Sequence, residues 1–115
     1  MTDRIGFGLL GTGLVAPFHA KGLLNSQKGA LIAAAEVSSE RLEKFTGEFG
    51  CKGYSSLESM LEDPAIQVVN ILTPNHLHYD AVLKCAASGK HILVEKPPAM
   101  SLREVDAMID TCAKA

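Results

Sequence analysis

Three short stretches of this sequence carry side chains whose types and spacing could do chemistry. The first is Gly11-Thr12-Gly13-Leu14-Val15-Ala16, a G-x-G-x-x-A pattern. Set between a strand and a helix, such a turn offers bare backbone to an anion. Gly11 permits the tight bend, Gly13 leaves room for a diphosphate to approach, and Ala16 lets helix and sheet pack closely. The start of the helix adds free N–H groups and a partial positive charge. An acid is expected roughly 20 residues beyond the pattern, at the end of the second strand. Glu36 stands there, directly after Ala33-Ala34-Ala35. Its carboxylate could bind the hydroxyls of an adenosine ribose; the plainer reading is a solvated charge at a strand end. The run of turn, strand and helix favours the ribose role. A carboxylate at this point repels a 2′-phosphate, which favours NAD over NADP. Ser38, Ser39 and Arg41 lie close enough in sequence to accept that phosphate if Glu36 turns away, so NADP stays open.

The other two stretches are Thr73-Pro74-Asn75-His76-Leu77-His78 and Glu95-Lys96-Pro97. Each follows a short apolar run that reads as a buried strand. Ligands of open α/β sheets bind outside the carboxyl ends of the strands, so both stretches emerge at the ligand edge. The prolines stiffen the backbone there. His76 and His78 form an H-x-H pair, but no third ligand of suitable type is near, and no metal site is expected. His76 reads as solvated in the first turn of a helix. His19, on the first helix, and His91, in the fifth strand, read as structural.

The elements that must position these residues alternate along the chain. Strands are expected at Arg4 to Leu10, Leu31 to Ala35, near Gly53-Tyr54, at Gln67 to Leu72 and at His91 to Val94. The spacing predicts helices from Val15 to Leu24, from a Ser38 or Ser39 cap to Gly50, and from a Ser55/Glu58 capping box to Pro64. A fourth runs from His76 to Ser88, before Gly89. Pro17 fits only the first turn of its helix. The last helix opens on a Ser101/Glu104 capping box with a Met100/Val105 staple, and Val105, Met108, Ile109 and Cys112 form one apolar stripe. Alternating strands and helices imply an α/β fold, a doubly wound parallel sheet of order 3-2-1-4-5. A sixth strand would follow the last helix in a standard dinucleotide fold, and the sequence stops before it.

The bulk numbers narrow the field. The chain has 115 residues, 47% hydrophobic and 21% charged, which suits one folded domain. A net charge of -2 and a pI near 6.0 argue against nucleic acid or an anionic membrane as partner. Cys51, Cys85 and Cys112 are odd in number and lack C-x-x-C spacing, so each reads as a small buried hydrophobe. Neither a secretory leader nor a membrane-length apolar run is visible, which makes the cytoplasm the expected compartment.

Taken together, the chain resembles the N-terminal domain of the Gfo/Idh/MocA oxidoreductases. Gly11-Thr12-Gly13 with Ala16, Glu36, Thr73-Pro74-Asn75 with His78, and Glu95-Lys96-Pro97 occur in the family's order and with family-like spacing. The resemblance covers essentially the whole chain, and its Glu-Lys-Pro segment is the most specific part. It implies an NAD(P)-dependent dehydrogenase acting on a secondary hydroxyl of a sugar, inositol or related polyol. Thr73, Pro74 and Asn75 would line the cofactor, with Asn75 near the diphosphate or the nicotinamide ribose. Glu95 would orient Lys96, and Pro97 would fix the geometry. Lys96 would sit by the nicotinamide and hydrogen-bond the hydroxyl being oxidised, where an ammonium could stabilise an alkoxide or assist proton transfer. His78 matches a position near the cofactor edge, with packing or capping the competing role.

Whole members of the family carry a second domain that supplies most of the substrate pocket. The expectation is therefore a fragment that binds a dinucleotide, turns over nothing alone, and forms homo-oligomers through an unpaired fifth-strand edge. The competing expectation is a stand-alone NAD(P) sensor, which would give Lys96 no catalytic task.

Overall fold

The computed structural model describes residues 4–96 and 98–115. Five strands form one parallel sheet: β1 (Ile5–Leu10), β2 (Gly29–Ala35), β3 (Lys52–Tyr54), β4 (Val68–Ile71) and β5 (His91–Val94). Their order is β3-β2-β1-β4-β5, as the alternating pattern requires. The helices are α1 (Ala16–Leu24), α2 (Ser39–Phe49), α3 (Leu57–Leu61), α4 (His78–Ala87) and α5 (Leu102–Lys114). A 3₁₀ turn, Asn75–Leu77, precedes α4. No helix among the described residues is long and apolar enough to cross a membrane.

The sheet is covered on both faces, which explains why its strands are apolar on alternate sides. One face packs Leu9, Ala34 and Leu72 against Ala16 and Ala20 of α1 and Phe45 of α2. The other packs Ala33, Ala35, Val69 and Ile71 against α3, α4 and α5, through Leu57, Met60, Ala81, Val82, Cys85 and Met108. Leu9, Val69 and Ile71 are wholly buried. Each such side chain contributes about 1.5–3 kcal/mol by leaving water.

Strand β2 begins two residues earlier than its alanine-rich core suggests, and it is bulged. Phe7 pairs with Leu31, but Gly8 pairs with Ala33, so Ile32 is the extra residue. Ile32 and Ala33 both pack on the α3–α5 face, and regular alternation resumes at Ala34.

Several helix ends differ from expectation for local reasons. Ser56, not Ser55, caps α3: it is extended, and its Oγ accepts from the Ser59 N–H at 3.1 Å. Glu58 leaves the capping box to pair with Lys84 at 2.8 Å. In α2 the cap is Ser38, whose Oγ accepts from the Arg41 N–H, and Gly50 ends the helix at φ +70°. Ser101 caps α5 as expected, but the Glu104 carboxylate reaches the Met100 N–H, one residue earlier than in a capping box. Val105 and Met108 carry the packed part of the α5 stripe, while Ile109 and Cys112 are exposed. The buried reading thus holds for Cys85, whose thiol is pushed up to about 12 by burial, and fails for Cys112. Cys51 is half-buried.

Candidate functional site

Strand β1 is flanked by β2 on one side and β4 on the other, so the connections diverge at its carboxyl end. A crevice opens there. The cleft has a volume of about 580 Å³, and its lining includes Gly11, Thr12, Gly13, Glu36, Thr73 and Pro74. Three segments distant in sequence thus meet where the residue types anticipate a ligand.

Gly11 has φ +97°, and a Cβ there would stand 3.3 Å from the backbone of Leu72 and Thr73. Its N–H donates to Ala35 O at 2.9 Å, which ties the turn to β2. Gly13 is different. A Cβ there would meet nothing within 4 Å, so the bare backbone faces open space. Helix α1 starts at this point without a side-chain cap, whereas α2, α3 and α5 each start on a serine. In its first turn the Ala16 N–H donates to Gly13 O and the Phe18 N–H to Val15 O, so an anion would have to be met by the N–H groups of the turn ahead of the helix. Pro17 occupies the first turn, where it removes no intrahelical bond. Leu14 and Val15 are exposed, and Leu14 lines a second, shallower cleft with Arg41 and Lys44.

Glu36 is buried to 8% exposure, and both carboxylate oxygens have partners. Oε1 accepts from the Thr12 N–H at 3.1 Å, the Thr12 hydroxyl at 2.8 Å and the Arg41 guanidinium at 3.3 Å. Oε2 accepts from the Ser38 N–H at 3.1 Å. Burial works to raise its pKa. The bonds from Ser38 and Thr12 and the charge of Arg41 outweigh that, and the carboxyl is held below its usual value. Glu36 is therefore neither solvated nor isolated: it pins the glycine turn to the end of β2. The Arg41 guanidinium, weighed from sequence as a phosphate acceptor, instead pairs with Glu36 here and remains largely exposed.

At the end of β4, Thr73 Oγ1 is buried with no hydrogen-bond partner among the described residues. Asn75 is exposed. His78 is wholly buried and does not line the cleft; its Nε2–H donates to Thr73 O at 2.7 Å, which braces the turn from behind. The Glu95 N–H donates to Ile71 O at 3.2 Å, extending the β4–β5 pairing one residue past the strand. Lys96 is exposed at the same edge of the sheet. Neither Glu95 nor Lys96 lines the 580 Å³ cleft. Pro97 lies outside the described residues. No group of three or more metal-type ligands occurs among the described residues.

Sequence reasoning missed two residues of this edge. His19 Nδ1 lies 3.1 Å from Asn70 Nδ2, and His19 Nε2 lies 3.3 Å from Glu95 Oε2. Asn70 breaks the apolar run of β4, which was the available signal. His19 gave none, since its partners are 51 and 76 residues away.

A diphosphate fits this arrangement: open space lies over Gly13, and an unpartnered hydroxyl, that of Thr73, stands on the wall. The fold and cleft define a dinucleotide-binding Rossmann domain. Residues 5–115 match the family described as "Oxidoreductase family, NAD-binding Rossmann fold", and the chain belongs to that family, the Gfo/Idh/MocA oxidoreductases. Among curated relatives, the scyllo-inositol 2-dehydrogenase (NAD(+)) of Bacillus subtilis is 38% identical over 93% of this chain and 32% of its own length. Among solved structures, the WlbA dehydrogenase of Bordetella pertussis, in complex with NADH and UDP-GlcNAcA, superposes with a TM-score of 0.92. It is 28% identical over 99% of this chain and 35% of its own. A putative NADPH-dependent oxidoreductase of Desulfitobacterium hafniense superposes with a TM-score of 0.93 at 30% identity, over 99% and 33%. The chain spans about a third of the length of the relatives it matches.

Proposed function

We propose that this chain is the cofactor-holding part of a dehydrogenase that acts on a secondary hydroxyl of a sugar, inositol or related polyol. The observation that carries the reading is the joint between Thr12 and Glu36 at the rim of the cleft. It ties Glu36 to the glycine turn, which supports a ribose role for the acid beside a diphosphate role for the turn. In this reading Gly11, Thr12, Gly13, Leu14 and Val15 hold the diphosphate, and Glu36 holds the adenosine ribose. Thr73, Pro74 and Asn75 form the wall, with His78 behind them. Glu95 orients Lys96 and Pro97 fixes that segment. Lys96 meets the reacting hydroxyl, and its ammonium stabilises negative charge as the proton leaves. When bound, the dinucleotide supplies hydride chemistry.

The curated relative named for an inositol and the solved relative holding a nucleotide sugar support a polyhydroxylated substrate. Because the chain spans a third of its relatives' length, the substrate pocket is taken to need residues beyond it, and the chain alone to bind a dinucleotide weakly without turnover. Glu36 favours NAD, and an Arg41 freed from it is the route by which NADP would be accepted. Calorimetric titration of the chain with NADH and NADPH tests the reading. Binding of NADH that Gly13→Val abolishes supports it; absence of binding to either nucleotide, or dehydrogenation of a polyol by this chain alone, counts against it.

A further inference from the structure

The His19 contacts join three elements at the cofactor edge. Its ring comes from α1, the helix that starts at the glycine turn. Asn70 comes from β4 and is 3% exposed. Glu95 comes from the end of β5, and its carboxylate is 39% exposed and would otherwise be free to swing into water. The Glu95 carboxylate only accepts hydrogen bonds, so Nε2 must carry a proton to bind it. Asn70 is compatible with that requirement either way round. Its NH₂ can donate to a bare Nδ1, or its carbonyl can accept from an imidazolium; in both cases Nε2–H faces Glu95.

We propose that His19 is a positioning residue for the Glu95-Lys96 segment, with Asn70 setting the ring's orientation and tautomer. The same helix that starts at the glycine turn thereby holds the lysine-bearing segment in place, and one side chain fixes the spacing between that turn and the end of β5. The proposal rests on the reading that Lys96 works beside the bound nicotinamide.

Nitrogen-15 NMR of the histidine-labelled chain tests the tautomer without any substitution. The neutral ring is expected to be protonated on Nε2, and protonation on Nδ1 overturns the proposal. Amide exchange then tests the tether. His19→Leu should speed exchange of the Glu95 amide about tenfold over that of Leu72, and His19→Gln, which keeps a donor near Nε2, should restore it. Equal acceleration at Leu72 and Glu95 would mean a merely structural histidine and overturns the proposal. Finally, NADH affinity is measured in a cycle with Lys96→Ala. His19→Leu should weaken binding about threefold to tenfold, and should add nothing when Lys96 is already alanine. Additive losses overturn the proposal. If the unaltered chain binds no NADH, the functional reading falls, while the tautomer and exchange results still decide whether His19 holds Glu95.

Discussion

The two ends of the cofactor edge are built differently. At the Glu36 end, the carboxylate is buried, both its oxygens are bonded, and it is tied to the glycine turn. At the other end, Asn75 and Lys96 are exposed and Glu95 is held through His19. The first end is preorganised, so little has to be ordered when a ligand arrives. The second presents its charged group on a surface that this chain leaves open. The two ends should therefore differ in what they contribute: most of any dinucleotide affinity is expected from the closed end, and a smaller part from the open one.

The sharpest test of this contrast is Gly13→Val. Nothing lies within 4 Å of a Cβ at Gly13, so the melting temperature should hold while NADH affinity falls by two orders of magnitude or more, on the order of 3 kcal/mol. An unchanged affinity would mean that the closed end does not hold the diphosphate. Glu36→Gln comes next. Its amide sets a donor against the N–H groups of Thr12 or Ser38, and should cost about 1–3 kcal/mol in denaturant unfolding.

The pH dependence sharpens the same point. The Glu36 pKa is lowered in the fold, so its stabilisation is fully present above its unfolded value and is lost as pH falls through the folded one. The Glu36 contribution should therefore fade as pH falls from the ordinary carboxylate range through its lowered pKa, and the Gln variant should lose that part of the slope. Arg41→Ala is expected to change stability little, because the guanidinium is largely exposed, but to weaken NADPH several-fold while sparing NADH. The smallest effect belongs to the open side. Leu93, on the edge strand β5, is 52% exposed, and we expect weak self-association there at high concentration. Leu93→Lys should shift sedimentation toward monomer; identical profiles would remove β5 as the contact.

The same contrast governs what could be read without coordinates. Glycine turn, strand order, caps and Glu36 follow from local rules of period, backbone freedom and spacing, and these recover the fold and the closed end. The misses are contacts between residues far apart in sequence. Nothing local tells that Glu36 takes Thr12, 24 residues away, as a partner, or that His19 reaches Glu95, 76 residues away. Ser56 rather than Ser55 caps α3 because of one backbone conformation that both serines could adopt. Cys112 reads as buried from its place on the apolar stripe of α5, yet it is exposed, and Met108 is the buried residue of that helix.

The doubled residue at Ile32 gives β2 one residue to spare in its pairing with β1. A chain shortened by Ile32 would recover plain pairing with β1 and still present Ala33, Ala34 and Ala35 to the same layers, delivering Glu36 to the same corner. Removing one of the three alanines instead would also close the bulge and keep Glu36 in place, but would seat Ile32 where a wholly buried alanine, Ala33, stands. Among relatives, a one-residue deletion in this strand should therefore remove the bulged residue rather than one of the buried alanines.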